Sequence, residues 1–288
     1  MRVAVIDGQR CEAHEAKISV FDRGFTFGDS VLETIRVYRG CPFELDAHLD
    51  RLASSIEAVA MVLPCSRETL VSEIQLALEA AGESSAVVRI VITRGEGPPG
   101  LDPTAAINPR RVLTVEPLLP LPEARYRSGV RAHSVHTVRA SDATHSAKLT
   151  NYLSSVLATR DARAAGADEA LILGADGRIA EGTTFNVFAV SNGTLVTPPV
   201  GRGVLAGVTR RVVLELAANE GLPVALGFMT PEELADADEV FITSTLREVL
   251  AVCTIDGRDL RTVPGPWTKR LHAAYRARAG APPPMYGS

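Results

Sequence analysis

Apolar residues follow two rhythms in this chain. Runs rich in β-branched residues at 31–38 and 87–93 read as strands. Between them the spacing turns helical. Leu49, Leu52, Ile56 and Val59 fall on one face of a segment that Asp46 is placed to cap, and Leu70, Ile74 and Leu78 follow on a second segment opened by Ser66. Residues 1–8 read as a strand entering a turn. Further along, 130–138 is strand-like. Tyr152, Leu153, Val156 and Leu157 predict a helix with those four on its buried side, stopping at Gly166. Asp176-Gly177, Asn192-Gly193 and Asp256-Gly257 are hairpin signals between strand-like runs. Residues 208–220 predict another helix, closed by Gly221, and 240–243 another strand. Thr230-Pro231-Glu232-Glu233 supplies a cap, a first-turn proline and two acids for a helix start. Pro266 opens a last helix through about Arg278, and the tail with Pro282, Pro283 and Pro284 is expected to be loose.

Three prolines in Glu116-Pro117-Leu118-Leu119-Pro120-Leu121-Pro122-Glu123 bar regular structure and stiffen a connector. The reading is an N-terminal α/β domain over 1–116, a proline-rich linker over 117–124 and a C-terminal domain over 125–288. The 288 residues, 46% of them apolar, suffice for two cores.

Charge and cysteine usage narrow the function. A net charge of -4 with no basic block argues against nucleic acid. No apolar run is long enough to span a membrane, and the N-terminal one is too short for a signal peptide. Cys11, Cys41, Cys65 and Cys253 are scattered without a Cys-x-x-Cys pair, which suits a reducing compartment and neither a disulfide framework nor a zinc site. His133, His136 and His145 do not make a metal site, because strand residues three apart face opposite sides. No metal is expected, and the expected location is the cytoplasm.

Composition singles out one residue. Of thirty basic residues, only Lys17, Lys148 and Lys269 are lysines. Arginine carries charge equally well but cannot form a Schiff base, so a lysine kept among arginines is a candidate for covalent amine chemistry. Several other segments look purposeful beside Lys148. They are the stretch from Phe21 to Arg36, with Phe27 and Glu33-Thr34-Ile35-Arg36; His48-Leu49-Asp50-Arg51-Leu52; Asn151 and Tyr152; Glu181-Gly182-Thr183-Thr184-Phe185-Asn186; Leu205-Ala206-Gly207-Val208-Thr209-Arg210; and Thr243-Ser244-Thr245. Gly207-Val208-Thr209 opens a helix, whose unpaired N–H groups and dipole suit an anion.

Taken in this order and spacing, the segments resemble the fold-type IV pyridoxal phosphate enzymes, which include branched-chain and D-amino acid aminotransferases and aminodeoxychorismate lyases. The resemblance runs from about Phe21 to about Ile255. It implies a two-domain α/β (α+β) fold, with a smaller N-terminal domain, a larger pseudo-barrel C-terminal domain and the cofactor, pyridoxal 5'-phosphate, in the cleft between them. It also implies a homodimer. Lys148 would form the Schiff base and move protons, and Glu181 would face the pyridine nitrogen. Arg51, the Val208 amide, the Thr209 side chain, Ser244 and Thr245 would hold the phosphate, and Tyr152 would meet the cofactor phenolate.

On the substrate side Phe27, Thr34, Arg36, Arg89 and Arg94 are candidates. Arg89 lies in a run too apolar for a free arginine, and Arg94 is similar in placement to the carboxylate-binding arginine of the D-amino acid enzymes. The leading reading is an aminotransferase working between an amino acid and a 2-oxo acid. The alternative is an aminodeoxychorismate lyase releasing 4-aminobenzoate and pyruvate in the folate pathway. Thr34, where branched-chain enzymes usually have glycine, and the 94–100 run favour the lyase, whereas 151–155 and 181–188 look like the aminotransferases. Ala206 and Ala251 stand where the family often has proline. L- or D-specificity, the substrate side chain and the arginine that takes the carboxylate stay open at this level.

Overall fold

The computed structural model describes residues 1–136 and 147–286. The chain forms two compact units. The first comprises Met1–Leu119 and Ala147–Asn151, and the second takes the remainder from Pro120 onward.

In the first unit the elements are β1 (Val3–Ile6), β2 (Gln9–Cys11), α1 (Arg23–Phe27), β3 (Ser30–Tyr38), β4 (Cys41–Pro42), α2 (Leu45–Ala58), α3 (Arg67–Ala81), β5 (Ser85–Thr93) and β6 (Arg111–Pro117). The strands form one antiparallel sheet in the order β2-β1-β6-β5-β3-β4. Strand periodicity decides what each face does. Val31, Ile35 and Val37 of β3, Val88, Ile90 and Ile92 of β5, and Leu113 and Val115 of β6 form one core with Leu49, Leu52 and Ile56 of α2 and Leu70 and Ile74 of α3. Both long helices therefore cover a single face of the sheet.

Ser66 caps α3 as its sequence predicts, its hydroxyl accepting the Thr69 N–H at 3.2 Å. Asp46 does not cap α2. The N-cap is Glu44, with φ of 53° and no side-chain bond, and Asp46 sits in the first turn, where its charge complements the helix dipole. The central strand β6 has no counterpart in the sequence reading. Its alternation is short and is bracketed by Pro109 and Pro117, which mimic a loop but are tolerated at strand ends.

The second unit contains α4 (Glu123–Ser128), β7 (Val130–His136), α5 (Leu153–Ala164), β8 (Glu169–Leu173), β9 (Ile179–Gly182), β10 (Asn186–Ser191), β11 (Thr194–Thr197), α6 (Val208–Asn219), β12 (Val224–Leu226), α7 (Pro231–Ala235), β13 (Glu239–Ser244), β14 (Glu248–Ile255), β15 (Arg258–Asp259) and α8 (Pro266–Arg278). Its sheet runs β12-β11-β10-β13-β14-β7-β8-β9, with β15 added to β14. The pairs β11/β12, β7/β14 and β7/β8 are parallel and the rest antiparallel. Leu171, Ile179, Val187, Ile242, Leu250 and Val252 are among its core residues. Asn192-Gly193 and Asp256-Gly257 both have the paired positive φ angles of tight hairpin turns. At α7, Thr230 and Glu233 complete a reciprocal capping box. The tail has no helix or strand through residue 286, yet Tyr286 Oη lies 2.5 Å from His272 Nδ1.

The helix α5 corrects one expectation. Its buried face carries Ser155, Ala158 and Ala162, which pack toward β7 and β8, while Leu153, Val156 and Leu157 are exposed. Tyr152 is half-buried at the N-cap. The apolar stripe is there, but small residues rather than large ones seat this helix. The last two residues of the run 130–138, and His145, lie outside the described residues.

Candidate active site

The lysine is placed by the edge of a strand. Residues 148–150 run beside the start of β3: the Leu32 N–H donates to the Lys148 carbonyl at 2.9 Å, the Thr150 N–H donates to the Ser30 carbonyl at 3.2 Å, and Val31 bridges Leu149. The Lys148 N–H donates to Ser55 Oγ at 3.0 Å, from a serine buried in α2. The Ser30 and Thr150 hydroxyls meet at 2.5 Å. Glycine is favoured at position 28 beside this segment, because its φ of 66° is left-handed and a Cβ there would also displace the Asn151 side chain. These bonds are why 147–151 belongs to the first unit although it lies within 125–288 along the chain. They fix the Lys148 backbone independently of its side chain.

Behind the same stretch of β3 lies a buried ionic cluster. Glu33 is fully buried and takes Arg51 through both oxygens, Nε to Oε1 at 2.7 Å and Nη2 to Oε2 at 2.8 Å. His48 Nδ1 lies 2.8 Å from Glu33 Oε2. Burial alone pushes the Glu33 carboxyl up, but the hydrogen bond and charge of Arg51, helped by His48, bring it down to about 2. Burial lowers His48 below an ordinary histidine, and the charges of Arg51 and Lys148 act in the same direction against the pull of Glu33. The anchoring role of Glu33 has no counterpart in the sequence reading. Its only signal is an acid at an odd, core-facing position of a strand whose other odd positions are apolar.

The substrate candidates separate. In the antiparallel register Thr34 pairs with Arg89 and Arg36 with Val87, so Thr34, Arg36 and Arg89 share the sheet face opposite the helices. Arg89 is exposed there, which relieves the discomfort its apolar neighbours suggest: strand alternation turns it away from them. Arg36 is buried, its guanidinium 4.5 Å from the Tyr38 ring. Arg94 is elsewhere. Its Nε donates to Asp29 at 2.8 Å, Nη1 to the Ala60 carbonyl at 3.0 Å and Nη2 to the Val59 carbonyl at 2.8 Å, so it braces the end of α2. Arg23 donates to the same Asp29 oxygen at 2.9 Å. Phe27, the last residue of α1, is exposed with the Arg23 guanidinium 5.0 Å from its ring.

The second unit supplies an acid and an anion cradle. Glu181, on β9, is buried, and its Oε2 accepts the Leu205 N–H at 2.8 Å and an Asn186 side-chain N–H at 3.3 Å. Asn186 also donates to the Leu205 carbonyl at 3.0 Å, which locks the turn before α6 onto the acid. Gly182 is needed because the Phe185 ring fills the place of its Cβ, 2.0 Å away. Gly207 is needed because a Cβ would stand 2.0 Å from Asn186 Oδ1. No side chain caps α6 at Gly207, and a helix's first N–H groups have no acceptor within the helix. Val208, Thr209 and the dipole end thus form a cradle for an anion. Ser244 and Thr245 close β13, both half-buried. Ser244 Oγ accepts the Arg247 N–H at 3.1 Å, which leaves its hydroxyl hydrogen available to donate. The neighbouring Thr243 hydroxyl is buried with no partner among the described residues. This donor set fits a phosphate, and a buried carboxylate fits a protonated ring nitrogen. Among the described residues no group of His, Cys, Asp or Glu is arranged to hold a metal ion, and His133 pairs with Asp256 at 2.7 Å.

The family model for amino-transferase class IV matches residues 30–255. The chain belongs to the class IV aminotransferases. A Methanocaldococcus jannaschii protein, provisionally named a branched-chain-amino-acid aminotransferase, is 39% identical over 94% of each chain. D-alanine aminotransferase of Bacillus licheniformis is 34% identical over 94% of each, and aminodeoxychorismate lyase of Bacillus subtilis is 30% identical over 94% of this chain and 92% of its own. Among solved structures, the branched-chain aminotransferase of the thermophilic archaeon Thermoproteus uzoniensis, with norvaline, has a TM-score of 0.89 and 32% identity, covering 96% of this chain and 95% of its own. Another branched-chain aminotransferase of the same fold was solved with pyridoxamine 5'-phosphate. The mixed α/β fold is therefore that of the fold-type IV enzymes, and class IV membership makes this chain an aminotransferase whose cofactor is pyridoxal phosphate.

Proposed function

We propose that this aminotransferase moves an amino group between an amino acid and a 2-oxo acid, with Lys148 as the residue that holds the cofactor covalently. The observation that carries this reading is that Lys148 is held at its own N–H, by Ser55, and at its own carbonyl, by the Leu32 N–H of β3, so that its backbone is fixed without calling on its side-chain amine.

When bound, pyridoxal phosphate supplies an electrophilic aldehyde carbon and an electron-withdrawing ring. Lys148 would hold the cofactor through its amine and would carry a proton to and from the substrate α-carbon. Glu181 would hold a proton on the ring nitrogen. By the family resemblance, the Val208 amide, the Thr209, Ser244 and Thr245 hydroxyls and the Arg51 guanidinium would hold the phosphate, and Tyr152 would meet the ring hydroxyl. Arg36 and Arg89, with Thr34 on the same sheet face, are the better-placed groups for a substrate carboxylate, since Arg94 is engaged as a brace.

A half-reaction panel tests this: D-alanine, L-leucine, L-glutamate, an (R)-arylalkylamine and aminodeoxychorismate, each followed by the cofactor's colour change. An acceptor-dependent turnover with one of the amino acids is expected. Pyruvate released from aminodeoxychorismate without an amino acceptor would instead establish the lyase, a reading the relatives support less.

The reading extends to a homodimer in the cytoplasm. Exposed Leu153, Val156 and Leu157 on α5 are apolar surface suited to self-association. Among the described residues no helix is long and apolar enough to cross a membrane. Light scattering should give about twice the 30.6 kDa chain mass.

A further inference from the structure

Arg247 belongs to none of the segments that carry the family likeness, yet it joins two of them. It is the last residue of the three-residue turn between β13 and β14. Its Nε and Nη2 donate to the two oxygens of Glu169 at 2.8 and 3.1 Å, from a partner at the start of β8. Its Nη1 donates to Thr184 Oγ1 at 3.1 Å. Its guanidinium carbon lies 5.5 Å from the centroid of the Phe185 ring, the ring that fills the space over Gly182. Its own N–H donates to Ser244 Oγ.

We propose that Arg247 is a positioning residue for the cofactor: one guanidinium ties the turn bearing Ser244 and Thr245 to the turn that follows Glu181. The inference rests on the reading of those three residues as cofactor ligands. The physical case is geometric. A guanidinium forked onto a carboxylate is held in plane, and its remaining edge then reaches a third acceptor in a fixed direction. A lysine has one nitrogen and cannot make that set of contacts. Because Ser244 Oγ accepts from the Arg247 amide, the turn's geometry also decides where the serine hydroxyl can point its hydrogen. Loss of the strut should loosen a phosphate donor and the seating of the acid together. Around metal sites, groups that orient ligands rather than touch the bound species typically change affinity about 10–100-fold, and a loss at the lower end of that range is expected here.

Charge complicates the simplest variant. Arg247→Ala would leave Glu169 unpaired near a phosphate and would weaken binding by repulsion alone. Three proteins are therefore compared with wild type: Arg247→Lys, the double variant Arg247→Met with Glu169→Gln, and Ser244→Ala, which removes a direct donor. The readouts are pyridoxal phosphate affinity of the cofactor-free protein, by fluorescence titration, and the pH dependence of the bound cofactor's visible band, with circular dichroism to confirm folding. About a tenfold loss of affinity and a shifted band titration are expected in both Arg247 variants, whereas Ser244→Ala should lose affinity with the band's titration unmoved. Wild-type affinity and titration in the double variant would overturn the inference, since charge balance would then suffice. Failure of the wild-type protein to take up the cofactor would instead sink the ligand assignment on which the inference stands.

Discussion

At the scale of single residues, Lys148 and Glu33 carry the most. Borohydride reduction of the cofactor-loaded protein followed by peptide mapping should place the label on Lys148. Lys148→Ala should keep its fold, because the bonds of Lys148 to β3 and Ser55 are made by its own carbonyl and N–H. Turnover in that variant should fall at least by the roughly 10²–10⁴-fold that a positioned proton-transfer group contributes; a variant that still turns over normally refutes the role. Glu33 makes a separate prediction about acid. Its folded-state carboxyl titrates at about 2, below its ordinary 4.5. Its contribution to stability is thus complete above the ordinary value and disappears as pH falls from about 4.5 toward 2. The shift corresponds to something on the order of 3 kcal/mol. Urea denaturation of wild type and Glu33→Gln should show the largest gap at neutral pH, closing across that acid window; a gap independent of pH would mean that Arg51 and His48 do not depend on the Glu33 charge.

The element scale shows both what sequence patterns reveal and where they mislead. The helices 67–81 and 266–278 were legible because their start signals are local: Ser66, and Pro266 at the first position. In α5 the apolar pattern was real but its direction was not encoded in it. Large apolar residues face outward there, and Ala158 and Ala162 let the helix sit close on β7 and β8. That reversal can be measured. Ala158→Leu should cost about 1–3 kcal/mol by overpacking, seen as a lower denaturation midpoint. Val156→Asp should leave the fold intact and shift the protein toward the mass of a single chain. If Val156→Asp unfolds the protein instead, the outward face is wrongly assigned. Arg89 teaches the same lesson in a strand: neighbours in sequence made it look buried, while alternation sends it to the other face.

For the whole molecule, cofactor and stability should be coupled. A ligand that binds only the folded protein adds about 2.7 kcal/mol at a hundred times its Kd. Thermal melts should therefore rise with added pyridoxal phosphate, and rise less in Lys148→Ala. A melt insensitive to the cofactor would contradict the donor set built around Val208, Thr209 and Glu181. The positions of those residues at a helix start and a strand leave a local trace in sequence, and the roles proposed for them come from the family resemblance. The supports leave none. Glu33, Ser55 and Arg247 act through side-chain partners 15 to 93 positions away in the chain, and no short window of sequence contains both ends.

The grouping of 147–151 with the first unit has a consequence for synthesis. As the chain leaves the ribosome, the leading edge of β3 lacks its neighbour until about thirty further residues, which belong to the other unit, have been made. A nascent fragment ending at Leu119 would expose the Leu32 amide and the Ser30 carbonyl to any passing strand. Folding helpers, or an early companion chain, would find that gap first.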